Sequence, residues 1–290
     1  MAVVPQWYIM PMDLKDIEDL DDISEDMEAE VQQGMDFATP KNSLAVFAAT
    51  DVFLFYVFFE AMLIPVYFMI GRFGGPQRSY AAVKFLLYSL VGGLFMLASL
   101  IGLYVVSAQM TGQGTFDYAS LVGLDIDPFA QKLLFLGFFF AFAIKAPLWP
   151  FHTWLPDAAA QSKPGTSVLL IGVLDKVGTF GMLRYCLPLF PGASTELRTT
   201  VIVLAVISII YGALMAIGQT DVIRLIAYTS ISHFGFMVLG IYTFTSAGIS
   251  GSIFYMLNHA VSLIRQKFHP VEPLGEFLPI VEAYHRQLAF

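Results

Sequence analysis

Five ionisable side chains stand in stretches where water should be scarce. Lys145 lies in LLFLGFFFAFAIKAPLWP, Lys176 in SVLLIGVLDKVGTFGM, Glu60 in LFYVFFEAMLIPVYFMIG, His233 in DVIRLIAYTSISHFGFMVLGIYTF, and His259 follows Asn258 in the next apolar segment. A charged group at the centre of a bilayer costs about 2.5–3.5 kcal/mol on insertion scales, so such residues are rare unless they face protein or a water-filled path. Ammonium, carboxylate and imidazole groups all exchange protons, and imidazole changes charge near neutral pH. The chemistry this set suggests is ion movement through a bundle of helices.

Lys145 lies 13 residues beyond Lys132, about 20 Å along a helix, and is followed by Pro147 and Pro150. A proline has no N–H and its ring displaces the carbonyl four residues earlier, so the carbonyls of Ala143 and Ala146 are expected to lack helical partners. Non-helical backbone at membrane depth survives only where protein buries it or water reaches it, and broken helices bearing an ionisable group are a common transporter device. The plainer alternative is a helix that ends near Phe151 with its lysine reaching out to water. Pro65 should likewise free the carbonyl of Ala61 beside Glu60. A buried carboxylate that stays charged needs an ammonium partner, for which Lys145 is the candidate, although packing through a helix–helix hydrogen bond is open to it.

Asp175 and Lys176 are adjacent and therefore point about 100° apart on a helix, so Lys176 is expected to aim at the bundle interior rather than to neutralise its neighbour. His233 sits among Tyr228, Thr229, Ser230 and Ser232. A proton relay and a simple helix–helix hydrogen bond are equally open to it. His152, His233 and His259 come from different segments without metal-ligand spacing, and no metal centre is expected.

These groups must be positioned by an all-α, polytopic transmembrane bundle. Of 290 residues, 57% are hydrophobic and only 13% charged, against about 45–50% and 25% in soluble domains. Seven apolar segments are expected, at about 44–70, 80–108, 131–152, 165–188, 199–218, 222–245 and 249–264, with one broken helix near Lys145–Pro150. A span needs ~20 residues, which makes the last of them short. The net charge of −8 is concentrated in residues 1–43, which carry 11 acids and two bases and read as an acidic amphipathic or disordered arm. Residues 44–264 form the transmembrane domain and 265–290 a polar tail. Arg72, Arg78, Lys163, Arg224, Arg265 and Lys267 fall on one side under this scheme, which is therefore expected to be cytoplasmic. One cysteine, Cys186, excludes a disulfide framework or a cysteine-ligated cluster within the chain. There is no dinucleotide fingerprint, P-loop or nucleophile elbow, and no basic footprint for nucleic acid.

FYVFFEAMLIPVYFMIG, YAAVKFLLYSL, FAIKAPLWPFHTWLPDAAAQSKPGTSVLL, LDKVGTFGMLRYCLPLFP and GQTDVIRLIAYTSISHFGFMVLGIY resemble the antiporter-like membrane subunits of proton-pumping NADH-quinone oxidoreductase, complex I. The resemblance runs from about Leu44 to Ser262. It implies a Glu60–Lys145 charge pair, Lys176 as the next proton carrier, His233 as a central-axis histidine and His259 as a further family histidine. It also implies a translocase subunit in the cell's inner (cytoplasmic) membrane that carries no cofactor itself. NADH, FMN, iron–sulfur clusters and quinone would belong to partner subunits, and the chain's own partners would be other membrane subunits and the lipid bilayer. A subunit of a multisubunit cation/proton antiporter shares the Glu60, Lys145 and Lys176 pattern. The family has helices before Leu44 and after Ser262 that do not continue here, so the chain is expected to be a copy shortened at both ends, and a non-functional product is a third reading.

Overall fold

The structure, a computed structural model, describes residues 46–268, with side chains through residue 262. Its elements are α1 (Val52–Phe73), α2 (Arg78–Thr111), α3 (Tyr118–Leu121), α4 (Pro128–Lys145), α5 (Trp154–Gln161), α6 (Pro164–Leu189), α7 (Pro191–Glu196), α8 (Arg198–Ile217), α9 (Val222–Tyr242) and α10 (Ser246–Phe268). Among the described residues, six helices are long and apolar enough to cross a membrane: α1, α2, α4, α6, α8 and α9. The seventh expected segment is the 23-residue α10, in which Asn258, His259 and several serines lower the apolar content. The acidic arm and most of the polar tail lie outside the described residues, although α10 runs four residues past the expected end of the seventh segment at residue 264.

The helix starts follow from local chemistry. Asp51, Asp117, Asp127 and Asp221 each accept a backbone N–H from the first turn that follows, satisfying donors that a helix leaves unpaired. At α4 the cap is reinforced by Pro128, whose missing N–H costs nothing at the first helical position. Ser120 donates to Asp117 through its hydroxyl and its N–H, and holds that exposed carboxyl below the usual carboxylate range. The 34-residue α2 is about 51 Å long. It ends at Gly112, whose φ of 83° is the left-handed conformation that closes helices most cheaply with glycine. The chain then returns past a lone bridge between Asp51 and Asp117 to enter α4.

The bundle is arranged with α4 and α6 at its centre, and they are the most enclosed of the six spans. Large apolar side chains stay exposed on α2 (Leu87, Leu94, Phe95) and α8 (Ile210, Leu214, Ile217), as helices facing lipid require. Small residues set the close approaches, as is usual between membrane helices. Gly212 and Gly235 let α8 and α9 run backbone against backbone, and a Cβ on Gly178 of α6 would collide with the backbone of Phe142 and Ala146 at the end of α4.

The break after Lys145 is present, and it is longer than the two prolines alone require. Residues 146–153 are largely turns, and the chain resumes as α5, between the third and fourth expected segments. The carbonyl of Ala143, expected to lack a helical partner, is met from within the break, where Leu148 N–H donates to it at 2.9 Å. Trp154 Nε1 donates to Ile144 O at 2.9 Å, and Trp149 N–H to Ser208 Oγ on α8 at 2.6 Å, so the break is stitched from both sides. At the other proline site, α1 is interrupted at Met62, whose N–H reaches Phe58 O at 3.2 Å, and Pro65 falls in the first turn after it.

Two further irregularities were not foreseen. Leu170–Leu174 and Met182–Cys186 of α6 are π-helical turns, flanking a short α-helical stretch, Asp175–Gly181. Such turns insert an extra residue and are found frequently at functional sites.

Candidate proton-carrying site

Glu60 projects from the end of the first half of α1 toward α2. Its carboxyl occupies the space a Cβ on Gly93 would fill, so Gly93 is the seat of this side chain. Gly92, one position earlier, faces Ile144 and Ala141 and brings α2 against α4 just before the break. Lys145, 2% exposed, is the last residue of α4. Its Nζ lies 5.1 Å from the Phe59 ring centroid and 5.4 Å from that of Phe85, close enough for the ring faces to attract the cation. Glu60 and Lys145 lie within each other's electrostatic field. Among the described residues, however, neither Glu60 Oε1 nor Lys145 Nζ has a hydrogen-bond partner. The two charges are neighbours across a gap, not a closed ion pair.

Lys176 is placed by the π-helical turn before it. Its Nζ donates to Ile171 O at 2.6 Å and meets His259 Nδ1 of α10 at 2.6 Å, while lying 4.9 Å from the Phe234 ring centroid. It thus reaches across to α10 while staying within the electrostatic field of its neighbour Asp175. The contact with His259 works in either proton state. An ammonium donates to a bare Nδ1, and a neutral amine accepts from a protonated one.

His259 and His233 have ring centroids 5.0 Å apart, and Tyr255 Oη lies 3.0 Å from His233 Nδ1. His233 also lines a cavity of about 410 Å³ with Ala213, Ala216, Leu225, Thr229 and Ser232. The hydroxyls that the sequence placed around His233 turn elsewhere. Thr229 and Ser230 donate to Ile226 O, and Ser232 to Ile209 O of α8. The partner actually supplied is Tyr255, four residues before His259 and thus on the same face of α10. That spacing was a readable signal, obscured because tyrosine is common in apolar runs.

The five residues are therefore brought together as two groups, Glu60 with Lys145 and Lys176 with His259 and His233, on either side of α6. Two groups near the break were missed as well. Asp157 of α5 pairs with Lys84 of α2 at 2.6 Å and with Arg224 of α9 at 3.2 Å. His152 is buried in the break against Tyr211, ring centroids 4.7 Å apart, with neither ring nitrogen hydrogen-bonded among the described residues.

Residues 49–265 match the family described as NADH:quinone oxidoreductase/Mrp antiporter, transmembrane. The NADH-quinone oxidoreductase subunit M of Mycobacterium tuberculosis is 65% identical over 221 residues, which is 74% of this chain and 40% of that protein. The corresponding subunit of Pseudomonas aeruginosa is 44% identical over 225 residues, covering 76% of this chain and 44% of its own length. The chain thus spans about two fifths of the length of the curated relatives it matches. Among solved structures, respiratory complex I from Thermus thermophilus with bound NADH contains a chain that superposes with a TM-score of 0.70 at 37% identity, over 75% of this chain and 46% of that one. A chain of the Mrp complex from Dietzia sp. superposes at 0.68 with 25% identity, over 77% and 41%. With three quarters of its residues matched, this chain belongs to the NADH:quinone oxidoreductase/Mrp antiporter transmembrane family.

Proposed function

We propose that the chain is a proton-translocating membrane subunit of a respiratory NADH-quinone oxidoreductase. The observation that carries this reading is the direct 2.6 Å contact of the buried Lys176 with His259, alongside a buried and unbonded Lys145 at a helix break. A structural charge is closed into a tight pair, because an unpaired charge in a low-dielectric interior is costly. Lys145 instead stands ready to give up or accept a proton. When Glu60 is ionised it favours the ammonium form of Lys145. When Glu60 is neutral or displaced, that support is lost and the proton is released along the interior. Lys176 passes the proton across its existing hydrogen bond to His259, and the neighbouring His233 and Tyr255 continue toward the cavity between α8 and α9.

In this reading the redox chemistry of NADH, flavin, iron–sulfur clusters and quinone belongs to partner subunits, and the chain works in the cell's inner membrane beside other membrane subunits. The 65% identity to a subunit M supports the respiratory assignment. The family and the likeness to an Mrp complex keep a cation/proton antiporter as the second reading.

The test is Lys145→Ala in native membranes, with proton uptake by inverted vesicles measured during NADH oxidation. At least a tenfold loss of pumping is expected, with the variant still comigrating with quinone reductase activity on a native gel. Normal pumping would sink the assignment, and pumping driven by a sodium gradient without NADH would favour the antiporter.

A further inference from the structure

Asp175 is 1% exposed, and among the described residues neither of its carboxyl oxygens has a hydrogen-bond partner. A buried, unsatisfied carboxyl in a membrane-spanning helix demands an account, since its desolvation is not offset by bonds. Its surroundings supply one. Asp175 lies three residues before Gly178 in the same short α-helical stretch, hence on the same face, and Gly178 is where α6 touches the backbone of Ala146. That face looks at the end of α4, which carries Lys145. Lys176, about 100° further round the helix, reaches His259 of α10 instead. Asp175 correspondingly lies in the electrostatic field of both Lys176 and Lys145, whereas Lys145 has Glu60 and Asp175 as its two acidic neighbours.

We propose that Asp175 is the carboxylate that carries protons across α6, from Lys145 to Lys176. The inference rests on the proton-translocating reading above and adds a group to it. In the first step an N–H bond of the Lys145 ammonium breaks and an O–H bond forms on Asp175, leaving a neutral amine and a neutral acid. In the second, the Asp175 O–H breaks and a new N–H forms on a neutral Lys176, which restores the carboxylate and produces the ammonium that faces His259. Net charge is conserved in each step. The gap on either side exceeds hydrogen-bond length, so each transfer runs through a water molecule or a swing of a lysine stem. The π-helical turn ending at Leu174 contributes by rotating Asp175 and Lys176 relative to an uninterrupted helix, so that one faces each group.

The experiment compares Asp175→Asn, Asp175→Ser and Asp175→Glu with Lys145→Ala in the assembled membrane complex, reading protons moved per NADH oxidised. Both neutral variants are expected to fall to within twofold of the Lys145→Ala level, and Asp175→Glu to recover at least half of the unaltered value. Unchanged pumping in either neutral variant, with Lys145→Ala inactive, overturns the role of Asp175 and leaves the broader reading standing. Unchanged pumping in Lys145→Ala overturns the broader reading itself. If both neutral variants fail to assemble while Asp175→Glu assembles, the carboxylate serves folding and the relay is overturned.

Discussion

At the scale of single residues, the position of Glu60 depends on the absence of an atom. Gly93 has no Cβ, and the Glu60 carboxyl fills the resulting space. Replacing Gly93 by alanine within a helix should favour the fold by about 0.5–1 kcal/mol through backbone propensity. The added methyl overlaps only the end of a flexible side chain, so the helix can stay in place while Glu60 swings away. Gly93→Ala is therefore expected to leave thermal stability within about 1 kcal/mol while lowering proton pumping several-fold, a split read by unfolding and pumping assays on the same preparation. Loss of both together would show that Gly93 serves helix packing instead. Glu60, Lys145, Lys176 and His259 were legible in the sequence because each is a polar group deep in an apolar run. The surroundings of Gly93 and Asp175 were not, since they depend on what a neighbouring helix presents. The hydroxyls near His233 misled for a local reason: helical serine and threonine bond back to carbonyls three or four residues earlier, as Thr229 and Ser230 do with Ile226.

At the scale of elements, one carboxylate ties the second half of the broken helix to two other helices. Asp157 on α5 joins Lys84 of α2 and Arg224 of α9, with side chains that are a fifth to two fifths exposed. Further ties of this region include the Tyr88–Thr153 hydroxyl contact at 2.7 Å, the Trp149–Ser208 bond and the Trp154–Ile144 bond. Partial exposure reduces the worth of each charge pair, yet hydrogen bonds to charged groups retain about 1.5–3 kcal/mol when buried. Asp157→Ala is expected to lower stability by about 1–2 kcal/mol, with Asp157→Asn costing less because its carbonyl still accepts one donor. Thermal unfolding in detergent measures both, and an unchanged midpoint for the alanine variant would remove Asp157 from this role. The prolines announced the break, and the apolar runs announced the spans to within a few residues at most ends. Helix α5 was hidden because WLPDAAAQ is only eight residues long and carries Pro156 and Asp157. The π-helical turns of α6 were hidden for a different reason: one extra residue leaves no mark on the periodicity of a segment that is apolar nearly all round.

At the scale of the whole molecule, the packing assigns loops to two ends, and the charge pattern predicts which end faces the cytoplasm. At the first end, Gly75 N–H donates to Gln161 O and Gln77 N–H to Gln161 Oε1, so the turn between α1 and α2 meets the end of α5. Arg72, Arg78, Lys163 and Arg224 belong to this end. At the other, Asp51 bridges to Asp117, and three cations are engaged locally: Lys132 with Glu196, Arg184 over the ring of Tyr118, and Arg198 with the carbonyls of Tyr242 and Thr243. An excess of basic residues in short loops marks the cytoplasmic side. Gln77 and Gln113 are exposed, one at each end, and Cys186 is fully buried, so the native chain offers a silent background for thiol labelling. With a membrane-impermeant maleimide, Gln77→Cys is expected to react in inverted vesicles and not in intact cells, and Gln113→Cys the reverse. Because α2 alone separates the two positions, a single crossing links both outcomes. Labelling of both variants from one side would mean that α2 does not span, and the exchanged pattern would turn the bundle over and send protons from Lys145 to His233 with the opposite sense relative to the cytoplasm.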